Sequence, residues 1–339
     1  MKPAVQSTLR RVALCIVFAI PVHVATEATA AMLVSSAGTN NILQFSEATG
    51  TFQNVFASGG ELSDPFDMVI GPDGNLYVSS HDSNSVLRYD GTNGAFLDTF
   101  IASGSGGLSN VTNLVFGPDN NLYASSFNNS RILRFDGTNG AFLDTFASGG
   151  GLVGPLGLAF GPDANLYVSN RDDDGSSSVL RYNGTTGAFL DIFTSGSGLT
   201  LPRDLIFGPD GNLYVGNLST NSVMRFNGTT GSFVDHFATG GGLDTPDGIV
   251  FGPDGNFYVS SFGNSRILRF DGTNGAFLDT FASGGGLVNP SALLFGDIDS
   301  SDNPVPEPGS IVAMLSLVTF GAGAIVIRRR RARARTLAA

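Results

Sequence analysis

Two histidines, His81 and His236, and a scatter of aspartates carry the side chains in the body of this chain that suit proton transfer or metal binding. Catalysis by a general acid and base, or by an activated nucleophile, needs unlike groups converging within hydrogen-bond reach. The single cysteine, Cys15, lies in an apolar N-terminal run, so the body has no thiol, disulfide or cysteine ligand. Asp67, Asn113 and Asp204 stand at the same point of a repeated pattern. Their oxygens are of the kind Ca²⁺ takes, which makes them a candidate cation set. A weaker set lies in "NRDDDGSSS", where Asp172, Asp173 and Asp174 precede Gly175; a solvated acidic loop is the competing reading.

The elements that must position these residues are repeats. "GPDG" or a variant starts at Gly71, Gly117, Gly161, Gly208 and Gly252, with a degenerate "GDID" at Gly296, at spacings of 46, 44, 47, 44 and 44 residues. Each unit reads as four short strands: an apolar one such as "DMVI", then "NLYVSS", "SVLRY" and "GAFLDTF". In the second strand Leu76 and Val78 alternate with Tyr77, the pattern of a half-buried strand. Pro72 presets the "GPDG" turn, and the Asn93-Gly94 pair of "DGTNG" predicts a left-handed hairpin turn. Both Asp-Gly stretches read as turns, because neither has the Asp ladder and terminal Glu of a dedicated calcium loop.

Four antiparallel strands in roughly 45 residues define a propeller blade. The strand type "LYVSS" occurs six times, at Leu33, Leu76, Leu122, Leu166, Leu213 and Phe257. The first copy has no apolar strand before it, and the last apolar strand, "ALLF" at 292–295, has no blade after it. An all-β, six-bladed propeller over 31–296 follows, closed by pairing the C-terminal strand with the N-terminal one, which removes exposed edges. Arg88, Arg134, Arg181, Arg225 and Arg269 are each followed ten residues later by an aspartate, and in the first unit both change together, to Gln44 and Asn54. The two positions are therefore expected to face each other across a hairpin. Phe96 and its equivalents are expected to fill space between blades. In this fold His81 sits on a loop at one face and His236 on an outermost strand, so they cannot form one site.

The order "GPDGNLYVSS" followed by "SVLRY" resembles the NHL repeat, and more broadly the six-bladed propellers of the SMP-30/gluconolactonase and streptogramin-lyase type. The chain has no Trp, which excludes the WD signature. The resemblance implies a divalent ion at the channel mouth held by Glu, Asn and Asp. This chain's mouth positions (Asp67, Asn113, Gly157, Asp204, Gly248 and Ala292) contain no Glu.

The ends read as targeting segments. Lys2, Arg10 and Arg11 precede an apolar run from Val12 to Val24 and a small-x-small site at Ala28-Thr29-Ala30, predicting a secretory signal over 1–30. After a linker at 297–304, residues 305–335 carry Pro306, Glu307 and Pro308, an apolar run at 311–327 and "RRRRARAR". Arginines after a span stay cytoplasmic. These three ordered elements resemble the PEP-CTERM sorting tail. That resemblance implies signal peptidase and the membrane protease exosortase as processing partners, transient membrane anchoring by the C-terminal helix alone, and delivery to the cell surface or exopolysaccharide matrix.

Without these ends, nine basic residues face 27 acidic ones, a net charge near −18. Such a body repels nucleic acid and anionic lipid. Residues 123–153 and 258–288 differ at only two of 31 positions, and the blades that hold them are opposite in a ring of six. An enzyme with one asymmetric site would diversify such loops. The expectation is a non-enzymatic surface or matrix protein that binds exopolysaccharide or other matrix partners, with a metal-dependent lactonase- or lyase-like propeller as the alternative.

Overall fold

The computed structural model describes residues 31–172 and 177–296. The predicted signal, linker and sorting segment (with Pro306, Glu307, Pro308 and the span 311–327), and also Asp173 and Asp174, lie outside the described residues. Among the described residues no helix is long and apolar enough to cross a membrane.

Six four-stranded antiparallel sheets form the ring. Blade 2 shows the plan: an inner strand Pro65–Ile70, a second Leu76–Ser80, a third Ser85–Tyr89 and an outer strand Phe96–Ile101. Blades 3 to 6 follow at 111–147, 155–195, 202–238 and 246–283. Blade 1 is composite, because Pro290–Gly296 pairs antiparallel with Ala31–Ser36, setting Ala31 opposite Gly296 and Met32 opposite Phe295. The closure expected from repeat counting is thus present.

The second strand departs from expectation. It is buried along its whole length in blade 2, not on one face alone. Leu76 and Val78 pack with Leu33 and Ile42 of blade 1, while Tyr77 packs with Leu114 and Leu122 of blade 3. Period-2 alternation here sorts side chains between two neighbours, with the aliphatics on one side and the ring on the other. Tyr77 stands edge-on to Phe100 at 4.8 Å and to Phe116 at 5.1 Å, and the trio recurs around Tyr123, Tyr167, Tyr214 and Tyr258. Such edge-on pairs add about 0.5–1.5 kcal/mol each beyond their burial.

Phe96, expected between the blades, is 42% exposed at the outer rim. Its ring lies against Gly60 in the connection arriving from blade 1. The space between blades is already filled by Tyr77 and its two phenylalanines.

The turns follow their residues with one correction. Gly74 takes φ 76° and its N–H donates to the Gly71 carbonyl at 2.9 Å, closing the "GPDG" turn. Asp73 Oδ1 accepts the Asn75 N–H at 3.1 Å and Oδ2 accepts the Tyr77 hydroxyl at 2.9 Å, so this aspartate serves the turn. In "DGTNG" only Gly94 is left-handed, at φ 72°, whereas a primed hairpin turn needs positive φ at Asn93 as well. Instead Asp90 organises the loop: its carbonyl accepts the Gly94 N–H at 2.8 Å, and its Oδ1 accepts the N–H groups of Thr92 and Asn93 at 2.8 and 3.2 Å. A Cβ at Gly94 would also run into the Phe56 carbonyl of the neighbouring blade.

Arg88 and Asp98 are direct cross-strand partners. The contact is bidentate, with Nε to Oδ1 at 3.2 Å and Nη2 to Oδ2 at 2.5 Å. In blade 1 the substituted pair meets at the same place, Asn54 Nδ2 donating to Gln44 Oε1 at 3.0 Å.

Candidate functional site

The channel mouth is built from a slip in each inner strand. Between Pro65 and Met68 the register against the second strand shifts. The slip turns the Asp67 N–H to the Ser79 hydroxyl oxygen at 2.7 Å, and that hydroxyl donates across to the Thr112 carbonyl of blade 3 at 2.7 Å. Ser125 and Ser169 likewise donate to the Leu156 and Arg203 carbonyls of their next blades, at 2.9 and 2.6 Å. The first serine of "LYVSS" therefore shapes the slip and latches the neighbour. Sequence reading assigned it no role, although its recurrence marked it.

The slip brings Asp67, Asn113 and Asp204 to one mouth, which Phe66, Arg203 and Asp247 also line. Each of the three predicted residues takes a backbone N–H from the next blade. Asp67 Oδ2 accepts from Leu114 at 2.7 Å, Asn113 Oδ1 from Leu158 at 2.9 Å and Asp204 Oδ2 from Ile249 at 3.1 Å. Asp204 Oδ1 also accepts the Leu205 N–H at 2.8 Å. At two of the other junctions the backbones approach directly: a Cβ on Gly157 would meet the Arg203 carbonyl at 2.7 Å, and one on Gly248 would run into the Ser291 carbonyl. The repeat position thus holds an oxygen latch in three blades and a close backbone approach in two. With both oxygens of Asp204, one of Asp67 and the single oxygen of Asn113 accepting backbone N–H groups, and no Glu present, the three offer fewer free oxygens than the about 6–8 that Ca²⁺ takes.

Charge is concentrated here. Burial pushes the Asp67 carboxyl well above its ordinary range, and Asp204 of the opposite blade adds to the push. Burial likewise raises Asp204 to about 7, against two backbone N–H groups that favour its anion; Asp247 adds a smaller push upward. Both residues are half-buried and line the mouth. Asp247 is 2% exposed; its Oδ2 accepts the Ser291 hydroxyl at 2.9 Å, and its Oδ1 lies 3.7 Å from Arg203 Nη1. The Arg203 guanidinium reaches across the channel to lie 5.3 Å from the Phe66 ring centre, and its Nε is buried without a partner. Phe66, Arg203 and Asp247 were missed in the sequence. Their signal is that the repeat position just before the latch residues holds Phe66, Thr112, Leu156, Arg203, Asp247 and Ser291, unlike side chains in an otherwise uniform repeat.

The histidines are not brought together. His81 stacks on Phe66 beside the mouth, with ring centres 5.6 Å apart. His236 stands on the outer strand of blade 5 opposite Met224, its Nδ1 3.2 Å from the Ser222 hydroxyl. Asp172 lies apart from the mouth set, its carbonyl accepting the Ser177 hydroxyl at 3.3 Å.

This architecture is that of a closed six-bladed β-propeller. No family model matches the chain, and no curated protein matches it in sequence. Among solved structures, the chain is similar to one in the nidogen/laminin complex, at 16% identity and a TM-score of 0.62, covering 78% of this chain and 98% of that one. It is also similar to a protein of unknown function from Bacteroides caccae (15%, TM-score 0.60, covering 79% and 98%) and to a streptogramin B lyase (17%, TM-score 0.53, covering 71% and 79%). At these identities the likeness is one of fold.

Proposed function

We propose that this protein works by binding: an exported propeller, delivered to the cell surface or extracellular matrix, that engages exopolysaccharide or other matrix partners through features repeated around its rim. The observation that carries this reading is a part-exposed phenylalanine at one position of every outer strand. Phe52, Phe96, Phe142, Phe189, Phe233 and Phe277 are 37% to 42% exposed. In five blades an exposed Leu97, Leu143, Leu190, Val234 or Leu278 follows. A polymer of repeating units meets the same apolar spot at successive blades, and weak contacts in series give avidity that no single contact has. The acidic body favours a neutral polymer over a polyanion. The N-terminal signal pattern and the Pro306-Glu307-Pro308 tail support delivery outside the cell.

Retention of the purified protein on immobilised exopolysaccharide tests the reading. Wild type is expected to be retained. A Leu97→Ser, Leu143→Ser, Leu278→Ser triple variant, altered only at exposed positions, is expected to elute early. Absence of retention, or turnover of lactones that Asp204→Ala abolishes, would contradict it.

A further inference from the structure

Blade 2 differs from its neighbours beside the channel mouth. The connection into its inner strand and the loop after its second strand run side by side: the His81 N–H donates to the Asp64 carbonyl at 3.2 Å and the Asp82 N–H to the Ser63 carbonyl at 3.3 Å. The first contact recurs as Phe127 to Asn110, Leu218 to Leu201 and Phe262 to Thr245, where the side chains make no ligand set. In blade 2 it assembles one imidazole and two carboxylates. His81 Nδ1 lies 3.0 Å from Asp64 Oδ2 and 3.6 Å from Asp82 Oδ1, and the three ligand atoms are all within 4.8 Å of one another.

Nδ1 is a buried atom, and although it sits at ion-pair distance from Asp64 neither carboxylate takes a hydrogen bond of good geometry from it. The ring is held by packing, stacked on Phe66 at an interplanar angle of 25°. A ring fixed by stacking, with a buried nitrogen that faces two carboxylates and makes no well-formed hydrogen bond, offers a cation a lone pair in a set position.

We propose that Asp64, His81 and Asp82 form a divalent transition-metal site, with Zn²⁺ the cation they fit. One nitrogen and two carboxylate oxygens suit Zn²⁺, whereas Ca²⁺ and Mg²⁺ take oxygen alone. A cation between the three atoms satisfies the orphan nitrogen and neutralises two adjacent carboxylates. Asp82 is 64% exposed at its side chain, so coordination positions remain open to solvent and to a partner's oxygen donor. The site stands independently of what the rim binds.

Calorimetric titration of the purified protein with Zn²⁺, and with Co²⁺ followed by its visible absorption, tests the proposal. One equivalent is expected to bind, with at least about tenfold weaker affinity in Asp82→Asn and loss of the Co²⁺ band in His81→Gln. Metal-free thermal midpoints of both variants are expected to match wild type, which separates ligand loss from misfolding; Asp82, being exposed, serves if His81→Gln does not fold. Absence of saturable binding in wild type, or unchanged stoichiometry and affinity in both variants, would overturn the proposal and leave an ordinary His81–Asp64 ion pair.

Discussion

Asp204 and Asn113 do the same work with different side chains, and the difference has a sign. Both accept a backbone N–H from the next blade, but only Asp204 can lose a proton. Its folded pKa is raised from 3.8 to about 7, chiefly by burial. Between those values the folded protein holds a proton that the unfolded chain has released. Stability from this group is therefore fullest at low pH and falls as pH rises toward 7. Asp204→Asn removes the titration and keeps one of the two acceptor oxygens that take the Leu205 and Ile249 N–H groups. Thermal midpoints at pH 5 and pH 8 are expected to differ less in the variant than in wild type. An equal difference between the two pH values in variant and wild type would show that Asp204 does not titrate in that range.

At the scale of the strand, the serine pair ending "LYVSS" explains the mouth better than any motif read for chemistry. Ser79 is fully buried, takes the Asp67 N–H and donates to Thr112 of the next blade. Ser79→Ala leaves both groups without that partner, and denaturant unfolding is expected to show a loss of about 1–3 kcal/mol. Blade 5 carries Gly216 there, with no hydroxyl to lose, so Gly216→Ser is expected to be neutral or stabilising. Ring closure and the facing of Arg88 and Asp98 were legible in the sequence because both rest on counting: six copies with an orphan strand at each end, and a pair that changes jointly to Gln44 and Asn54. The inter-blade latch role of Asp67, Asn113 and Asp204 was not, since it depends on which backbone N–H the next blade presents. The hairpin turn was misread because Asn-Gly is a local signal, and here Asp90 and the Phe56 carbonyl decide the geometry. The nearness of His81 to Asp64 was hidden for a related reason. It comes from two loops meeting one register beyond the Ser63–Ser80 contact, which only the fold reveals.

For the whole molecule, closure and repetition set both stability and the surface presented. The strand Pro290–Gly296 is the inner strand of blade 1 and packs on its neighbours on both sides. A chain ending before Pro290 would expose the edge of Ala31–Ser36 and two apolar faces. It is expected to elute as aggregates in size-exclusion chromatography, where the complete ring elutes as discrete particles. With the ring closed, the outer strands present the same rim six times, and that repetition is what a polymer would read. The most direct measurement is the affinity of the purified protein for matrix oligosaccharides of increasing length. Affinity is predicted to climb steeply as chains become long enough to touch successive blades, and the climb should flatten in the Leu97→Ser, Leu143→Ser, Leu278→Ser variant. Affinity that is absent at every length, or independent of length and of the rim substitutions, would contradict binding through the repeated rim.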